Sequence, residues 1–333
     1  MKIRTIFTLV ASLLLLNGCS KQSEDYDYGM SVTIPSIVGT PISNLSAQEL
    51  NFFRATNAFQ TAALEKFYKQ NPDQNIAISS LYLFSDLINN AAFEPYFDAF
   101  YSNFDLTNLP ANSMEGVLDS IYCFIKDLDS SLVISSSFDV LPDSSIVVNQ
   151  SVGIMFLYDD AVKVQKAVSG SKKDVFSLSD RFGIYESEHE TVGEVPFGNG
   201  NYSLVMIKPK GDLTNYVENF SEHRYKSLID SLREQNVNIT FPDFDFTTEK
   251  LQFTFPKFDN MTSEIPDSLS VKVQTAVAFK RPNYAMLASK EQAADKHLPQ
   301  TETLDRIAFD NDFIFLLRGR YSNIILLLGV YRK

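Results

Sequence analysis

The dominant period of this chain's apolar pattern changes about two-fifths of the way along. Up to Leu128 hydrophobic residues recur at helical spacing, and from about Leu132 they fall into short β-branched and aromatic runs. Ser46 followed by Glu49 is a capping-box pattern. Leu50, Phe53, Ala58, Ala62, Leu64 and Phe67 then predict a helix that Asn71-Pro72 stops. A second helix is predicted from Ser79, with Leu81, Phe84, Leu87 and Ile88 on its apolar side, and a third over Glu115 to Leu128. Strands are predicted at LVISSSF, SIVVNQSVGIMFLY, NYSLVMI, VNITFPDFDF, LQFTFPKF, VKVQTAVAF, DFIFLL and NIILLLGV, with one helix among them over Thr214 to Glu234. Helices first and strands after is an α+β order, not the alternation of a βαβ sheet. Ile324 to Val330 is almost continuously apolar, as a strand covered on both faces must be.

Composition narrows the function classes. With 41 Asp+Glu against 29 Lys+Arg the net charge is −12, a poor basis for neutralising phosphates, so no nucleic-acid partner is expected. Two cysteines make neither a disulfide framework nor a cysteine-rich zinc site. Neither GxGxxG nor GxxxxGK[ST] is present, so the common phosphate cradles are missing. The three histidines, His189, His223 and His297, stand apart, and Glu186-Glu188-His189-Glu190 reads as a solvated charge run and not a metal site. No GxSxG elbow marks a nucleophile, and no motif pairs carboxylates for acid–base work. The expectation is a non-enzyme without cofactor or metal. Cys123, between Tyr122 and Phe124, reads as a buried small hydrophobe.

The N-terminus carries Lys2 and Arg4, then an apolar run from Ile6 to Leu16 too short to span a bilayer. It ends in Leu16-Asn17-Gly18-Cys19, which resembles the lipobox of bacterial lipoproteins. That resemblance implies a signal peptide over 1–18, lipidation of Cys19, and anchoring in a bacterial cell envelope, periplasm-facing or at the outer surface. Residues 19–46 are polar and broken by Gly29, Pro35, Gly39 and Pro41, as suits a flexible tether. No such linker follows, so a single domain over 47–333 is expected.

Four segments, in order, resemble motifs of the serpin family. Asn75-Ile76-Ala77-Ile78-Ser79-Ser80-Leu81 is similar to the stretch that opens the family's second helix. Glu194 to Pro209 looks like its "lPYkg…SMlilLP" hairpin, and Phe255-Pro256-Lys257-Phe258 or Phe241-Pro242-Asp243-Phe244 looks like its "lPKF" strand. Phe309 to Leu317, followed by Tyr321 to Val330, resembles its C-terminal signature, with Asp312 where proline is usual. The resemblance implies a serpin-like α+β fold: N-terminal helices, a mainly antiparallel multi-sheet core, and an exposed reactive-centre loop at about 283–306.

It also implies a mechanism. A serine or cysteine protease cuts the loop, which then inserts as a new strand into a sheet and drags the acylated protease with it. Among the loop residues, Lys296 is the best-placed scissile candidate and would select a trypsin-like enzyme; Lys290 is second, and His297 lies beside it. The hinge falls on Phe279-Lys280-Arg281-Pro282, where the family has small residues, and Tyr284 follows. Proline donates no ladder hydrogen bond, so this hinge is unfavourable for insertion. Tyr82 stands where the family has a second serine, and the region 93–175 is shortened. There, Ile146 to Asn149 matches the central strand, or Leu132 to Phe138 is an outer strand and the helix that guards the sheet is missing.

Two functions stay open on these grounds. One is a membrane-anchored protease inhibitor or protease-binding protein; the alternative is a non-inhibitory serpin-fold binding or structural module. A third reading, capture of polymers on aromatic rows near Phe241 to Phe258, belongs to another α+β fold.

Overall fold

The structure, a computed structural model, describes residues 47–79, 83, 132–141, 145–155, 165–166, 174–197, 202–242, 245–248, 250–256, 268–280, 304–320 and 322–333. Helix α1 (Ala47–Gln70) comes first, and Lys69 in its last turn complements the helix dipole. Its buried face is not the purely apolar stripe expected from the sequence. Phe53, Phe59, Leu64 and Phe67 are buried, but so are Thr56, Asn57 and Gln60, while Ala62 is exposed. The polar members are bound. Asn57 Nδ2 donates to Asn323 O at 2.9 Å and its Oδ1 accepts from Ile325 N at 2.8 Å, while Gln60 Nε2 donates to Ile78 O at 2.6 Å. The helix is thus keyed to two strand ends by hydrogen bonds that burial makes costly to lose.

The described strands form two sheets. The larger has nine: β1 (Ile76–Ile78), β14 (Ile325–Tyr331), β13 (Phe313–Gly319), β7 (Tyr202–Pro209), β6 (Glu190–Phe197), β5 (Asp174–Glu186), β8 (Arg233–Pro242) and β12 (Asp305–Ala308) in that spatial order, with β4 (Gln165–Lys166) against β5. All its pairs are antiparallel except β12 with β8. Every residue of β13 and β14 is buried, as the apolar runs of the sequence demand. Gly329 is required there: a Cβ would lie 2.2 Å from Ile76 O and 2.5 Å from Phe315 Cζ.

The smaller sheet has the order β10 (Leu251–Pro256), β11 (Ser268–Lys280), β3 (Ile146–Met155), β2 (Leu132–Val140), with β9 (Asp245–Thr247) beside the C-terminal part of β11. Strands β2 and β3 pair as antiparallel neighbours, and their connection is only Leu141–Ser145, too short to hold a helix. Ile146–Met155 therefore lies inside this sheet and Leu132–Val140 outside it, at the end of the described strand order.

The sequence reading needs three corrections. The helix expected over Thr214–Glu234 is two, α2 (Leu213–Glu218) and α3 (Glu222–Ser231), because Asn219 caps the first and the Ser221 side chain accepts Arg224 N to start the second; Arg233 already opens β8. Residues Asp305 and Arg306, expected in the loop, are in β12, paired with Val237 and Asn238. Strands β1, β4, β5, β6 and β12 were not among the predicted runs. The β6–β7 hairpin, expected from the resemblance, is present, with Phe197 opposite Tyr202. The predicted helix over Glu115–Leu128, Cys123 and most of the helix after Ser79 lie outside the described residues.

Candidate functional site

The resemblance directs attention to the smaller sheet and to the chain that leaves it. All ten residues of β3 pair in parallel with β11, from Ile146 opposite Val271 to Met155 opposite Lys280. This is the single parallel pair among the described strands of that sheet; β2 and β10 flank it with antiparallel ladders. Parallel pairing is slightly less stable per residue than antiparallel, so the seam is the weaker line in the sheet.

Strand alternation gives the seam two faces. Inward lie Ile146, Val148, Gln150 and Val152 of β3 and Val271, Val273, Thr275 and Val277 of β11. Outward lie Val147, Asn149, Ser151 and Gly153 opposite Lys272, Gln274, Ala276 and Ala278, small or polar except for Val147, which is buried. The inward rows are apolar at every step but one, and the exceptions face each other. Thr275 Oγ1 and Gln150 Oε1 are 3.1 Å apart in a buried hydrogen bond. The same Gln150 amide accepts Ser79 N at 3.1 Å and donates to Ser79 O at 2.8 Å. On the far side, Thr275 N donates to Thr248 Oγ1 at 2.9 Å and Thr248 N to Thr275 O at 2.9 Å. Thr248 sits between β9 and β10, where the edge strand carries one more residue than β11 and so bulges. A polar row thus crosses the sheet from Thr248 through Thr275 and Gln150 to Ser79, and separates the seam's apolar residues into two clusters, Ile146, Val148, Val271 and Val273 below, Val152 and Val277 above.

Sequence reasoning named Ser79 but missed Gln150, Thr275 and Thr248. The signal was present: in IVVNQSV and VKVQTAV a polar residue stands in the inward phase of an otherwise apolar alternation.

Of the expected hinge, Phe279 and Lys280 are the last two residues of β11, opposite Ile154 and Met155. Arg281, Pro282 and Tyr284, the loop residues Lys290, Lys296 and His297, as well as Tyr82 and Cys19, lie outside the described residues. The chain returns at Leu304 and joins the larger sheet through β12.

Asp312, which replaces the usual proline, has a visible job. Its carboxylate accepts from the Arg332 guanidinium and, at 2.9 Å, from Lys333 N, while Arg332 lies over the Tyr68 ring and donates to Pro72 O. An ion pair therefore fixes the chain end where ring rigidity is absent. Deeper in the larger sheet, Arg318 and Glu194 form a buried ion pair at 2.7 Å. Ser203 Oγ donates to the same carboxylate oxygen at 2.5 Å. Arg318 also binds Asn323 Oδ1, and Tyr225 OH donates to Asn323 O at 3.2 Å. Asn323 has φ 56°, a left-handed turn that asparagine tolerates. Burial pushes the Tyr225 phenol up to about 12, so it stays a donor.

The carboxylates around His189 do not converge. No group of three or more His, Cys, Asp or Glu suited to a metal exists among the described residues. Glu188 and His189 are exposed, whereas Glu190 is fully buried, with Ser187 Oγ donating at 2.8 Å, Tyr216 OH at 3.0 Å, and Arg224 Nη2 alongside.

No family model matches the chain, and no curated protein matches it. Solved structures do, and the fold they share with it is the serpin fold. Native protease nexin-1 with heparin aligns at a TM-score of 0.58 and 12% identity over 86% of this chain and 100% of its own. A tumour-suppressing serpin aligns at 0.59 and 10% identity over 86% and 99%, and maspin at 0.59 and 12% over 85% and 99%. At these identities the likeness is one of architecture.

Proposed function

We propose that this chain is a cell-envelope lipoprotein, anchored through Cys19, that engages a serine or cysteine protease through the segment at about 283–306 and is not itself an enzyme. The observation that carries this reading is the parallel β3–β11 seam, closed along the whole of β3, with that segment beginning where β11 ends. A segment that left Lys280 and folded back between β3 and β11 would run antiparallel to both, replacing one parallel ladder by two antiparallel ones. The stretch from Arg281 to Leu304 is long enough, at roughly 3.3 Å per residue, to return along the seam. The outward side chains at Ser151, Gly153, Ala276 and Ala278 are small, which eases entry at that end of the seam. Arg281-Pro282 and Tyr284 work against the first steps, so insertion is expected to be slow.

The test uses the full chain in detergent mixed with trypsin, read by denaturing electrophoresis and by melting curves before and after cleavage. A band at the summed mass with a large rise in Tm is the expected result for an inhibitor, with cleavage at Lys296. Clean cutting with neither band nor rise would sink the inhibitory reading and make the chain a serpin-fold binding module.

A further inference from the structure

A cleft of about 430 Å³ opens between the β5–β6 turn and helices α2 and α3. It lies on the larger sheet's side and is independent of the seam. We propose that this cleft binds a neutral saccharide of one or two sugar units.

Glu190 is at the floor and is spent, since Ser187, Tyr216 and Arg224 all donate to it. Arg224 is spent in part: Nη2 goes to Glu190 and the guanidinium also meets the Tyr216 hydroxyl, which leaves some of its five N–H donors to give. Asn219 Nδ2 donates to Asn215 O at 2.7 Å and to Asn215 Oδ1 at 3.1 Å. The two amides thereby fix each other's orientation, leaving Asn215 Nδ2 as a donor and Asn219 Oδ1 as an acceptor side by side. Asp212 gives Oδ2 to Asn215 N at 2.8 Å and keeps Oδ1 as an acceptor. Lys210 Nζ donates to Ser187 O at 2.7 Å and has further protons to give.

The free groups are therefore donors and acceptors in alternation. An anion meets the carboxylates of Asp212 and Glu188, and a cation meets Arg224 and Lys210. A polyhydroxyl ligand satisfies both, because each hydroxyl donates and accepts at once. The volume falls in the range of small-molecule sites and accommodates one or two pyranose rings. Apolar surface is present beside the polar groups, with Pro209 and the Tyr216 ring in the lining, and suits the C–H face of a sugar.

Gly211 lines the same cleft, and a Cβ there would meet nothing within 4 Å on a backbone that ordinary residues adopt. Gly211→Leu therefore fills the mouth without straining the fold. The experiment is saturation-transfer NMR on the full chain in a sugar-free detergent, with maltose, cellobiose, chitobiose and a mannose disaccharide as neutral probes and a sulfated disaccharide as the anionic one. At least one neutral probe is expected to bind with Kd below about 1 mM. Gly211→Leu and Asn215→Ala are each expected to weaken it at least about tenfold, with Tm unchanged in Gly211→Leu. Binding should not change between low and high salt. Silence from every neutral probe at millimolar concentration overturns the proposal. So does binding of the sulfated probe alone, lost at high salt, or neutral binding that survives Gly211→Leu.

Discussion

Gln150 and Thr275 meet across the parallel seam, where the Gln150 carbonyl oxygen lies 3.1 Å from the Thr275 hydroxyl while the same amide binds both backbone groups of Ser79. One side chain thus ties β3 to β11 and to the chain that follows β1. It does so at the level where the seam's apolar residues divide into two clusters, so the sheet is held closed at its middle by a polar contact and above and below it by packing.

Unequal costs follow for the two partners. Gln150→Leu strands the buried N–H of Ser79 and leaves its C=O with Leu83 N alone, at 3.2 Å, so urea denaturation should show a loss of about 2 kcal/mol. Thr275→Val removes one hydroxyl and leaves Gln150 bound to Ser79, for a loss of about 1 kcal/mol. Equal losses in the two variants would show that the cross-seam bond, and not the tie to Ser79, carries the energy.

Gly329 gives a second prediction. Its strand lies so close to β1 and to the Phe315 ring that a methyl group has nowhere to go, and the nearest atom, Ile76 O, is backbone and cannot rotate away. Gly329→Ala should cost more than about 3 kcal/mol, at the severe end of overpacking. Gly211→Leu serves as the control with no loss. A Gly329→Ala variant as stable as the parent would mean that β1 shifts freely along β14.

Much of this architecture was legible in the sequence, for definite reasons. Strands β13 and β14 were plain because residues buried on both faces leave an uninterrupted apolar run, and α1 because its stripe ends at Asn71-Pro72. Strand β5 was not: Asp174–Glu186 switches partners from β8 to β6 around Gly183, and its sequence, DVFSLSDRFGIYE, is polar at the exposed positions. Asp312 read as a departure from a motif, and its pairing with Arg332 needed the fold, since the two meet only when β13 and β14 lie side by side. Gln150 and Thr275 are each ordinary in their own strand. Their meaning comes from a register that joins residues far apart in the chain.

Acid should act through Glu190. Burial alone would raise its pKa, yet hydrogen bonds from Ser187, Arg224 and Tyr216, with the guanidinium charge, hold it below its ordinary 4.5. A carboxylate with a depressed folded pKa contributes stability that is fully present above the unfolded value and lost as pH falls through the folded one. Urea midpoints taken from about pH 6 down to about pH 3 should therefore fall below about pH 4.5. Glu190→Gln should lower the neutral midpoint and shallow that fall. An acid limb of the same depth in Glu190→Gln would assign the loss to other carboxylates, such as Asp310, which Lys208 likewise holds low.

A staple across the seam separates cleavage of the loop from opening of the sheet. Ser151 and Ala276 are register partners on the outward face, and neither side chain is used in a hydrogen bond among the described residues. Neighbouring strands place such residues close enough for a disulfide when both are changed to cysteine. In Ser151→Cys/Ala276→Cys, with the native Cys123 replaced by serine, trypsin should cut the segment at about 283–306 in the oxidised protein as fast as in the reduced one if cleavage does not require the seam to open. If a cut loop enters between β3 and β11, the rise in Tm on cleavage should appear only after reduction. A rise of equal size in both states would place the stabilisation elsewhere in the molecule. The seam would then be a fixed part of the sheet, and the Arg281-Pro282 hinge the reason that it stays so.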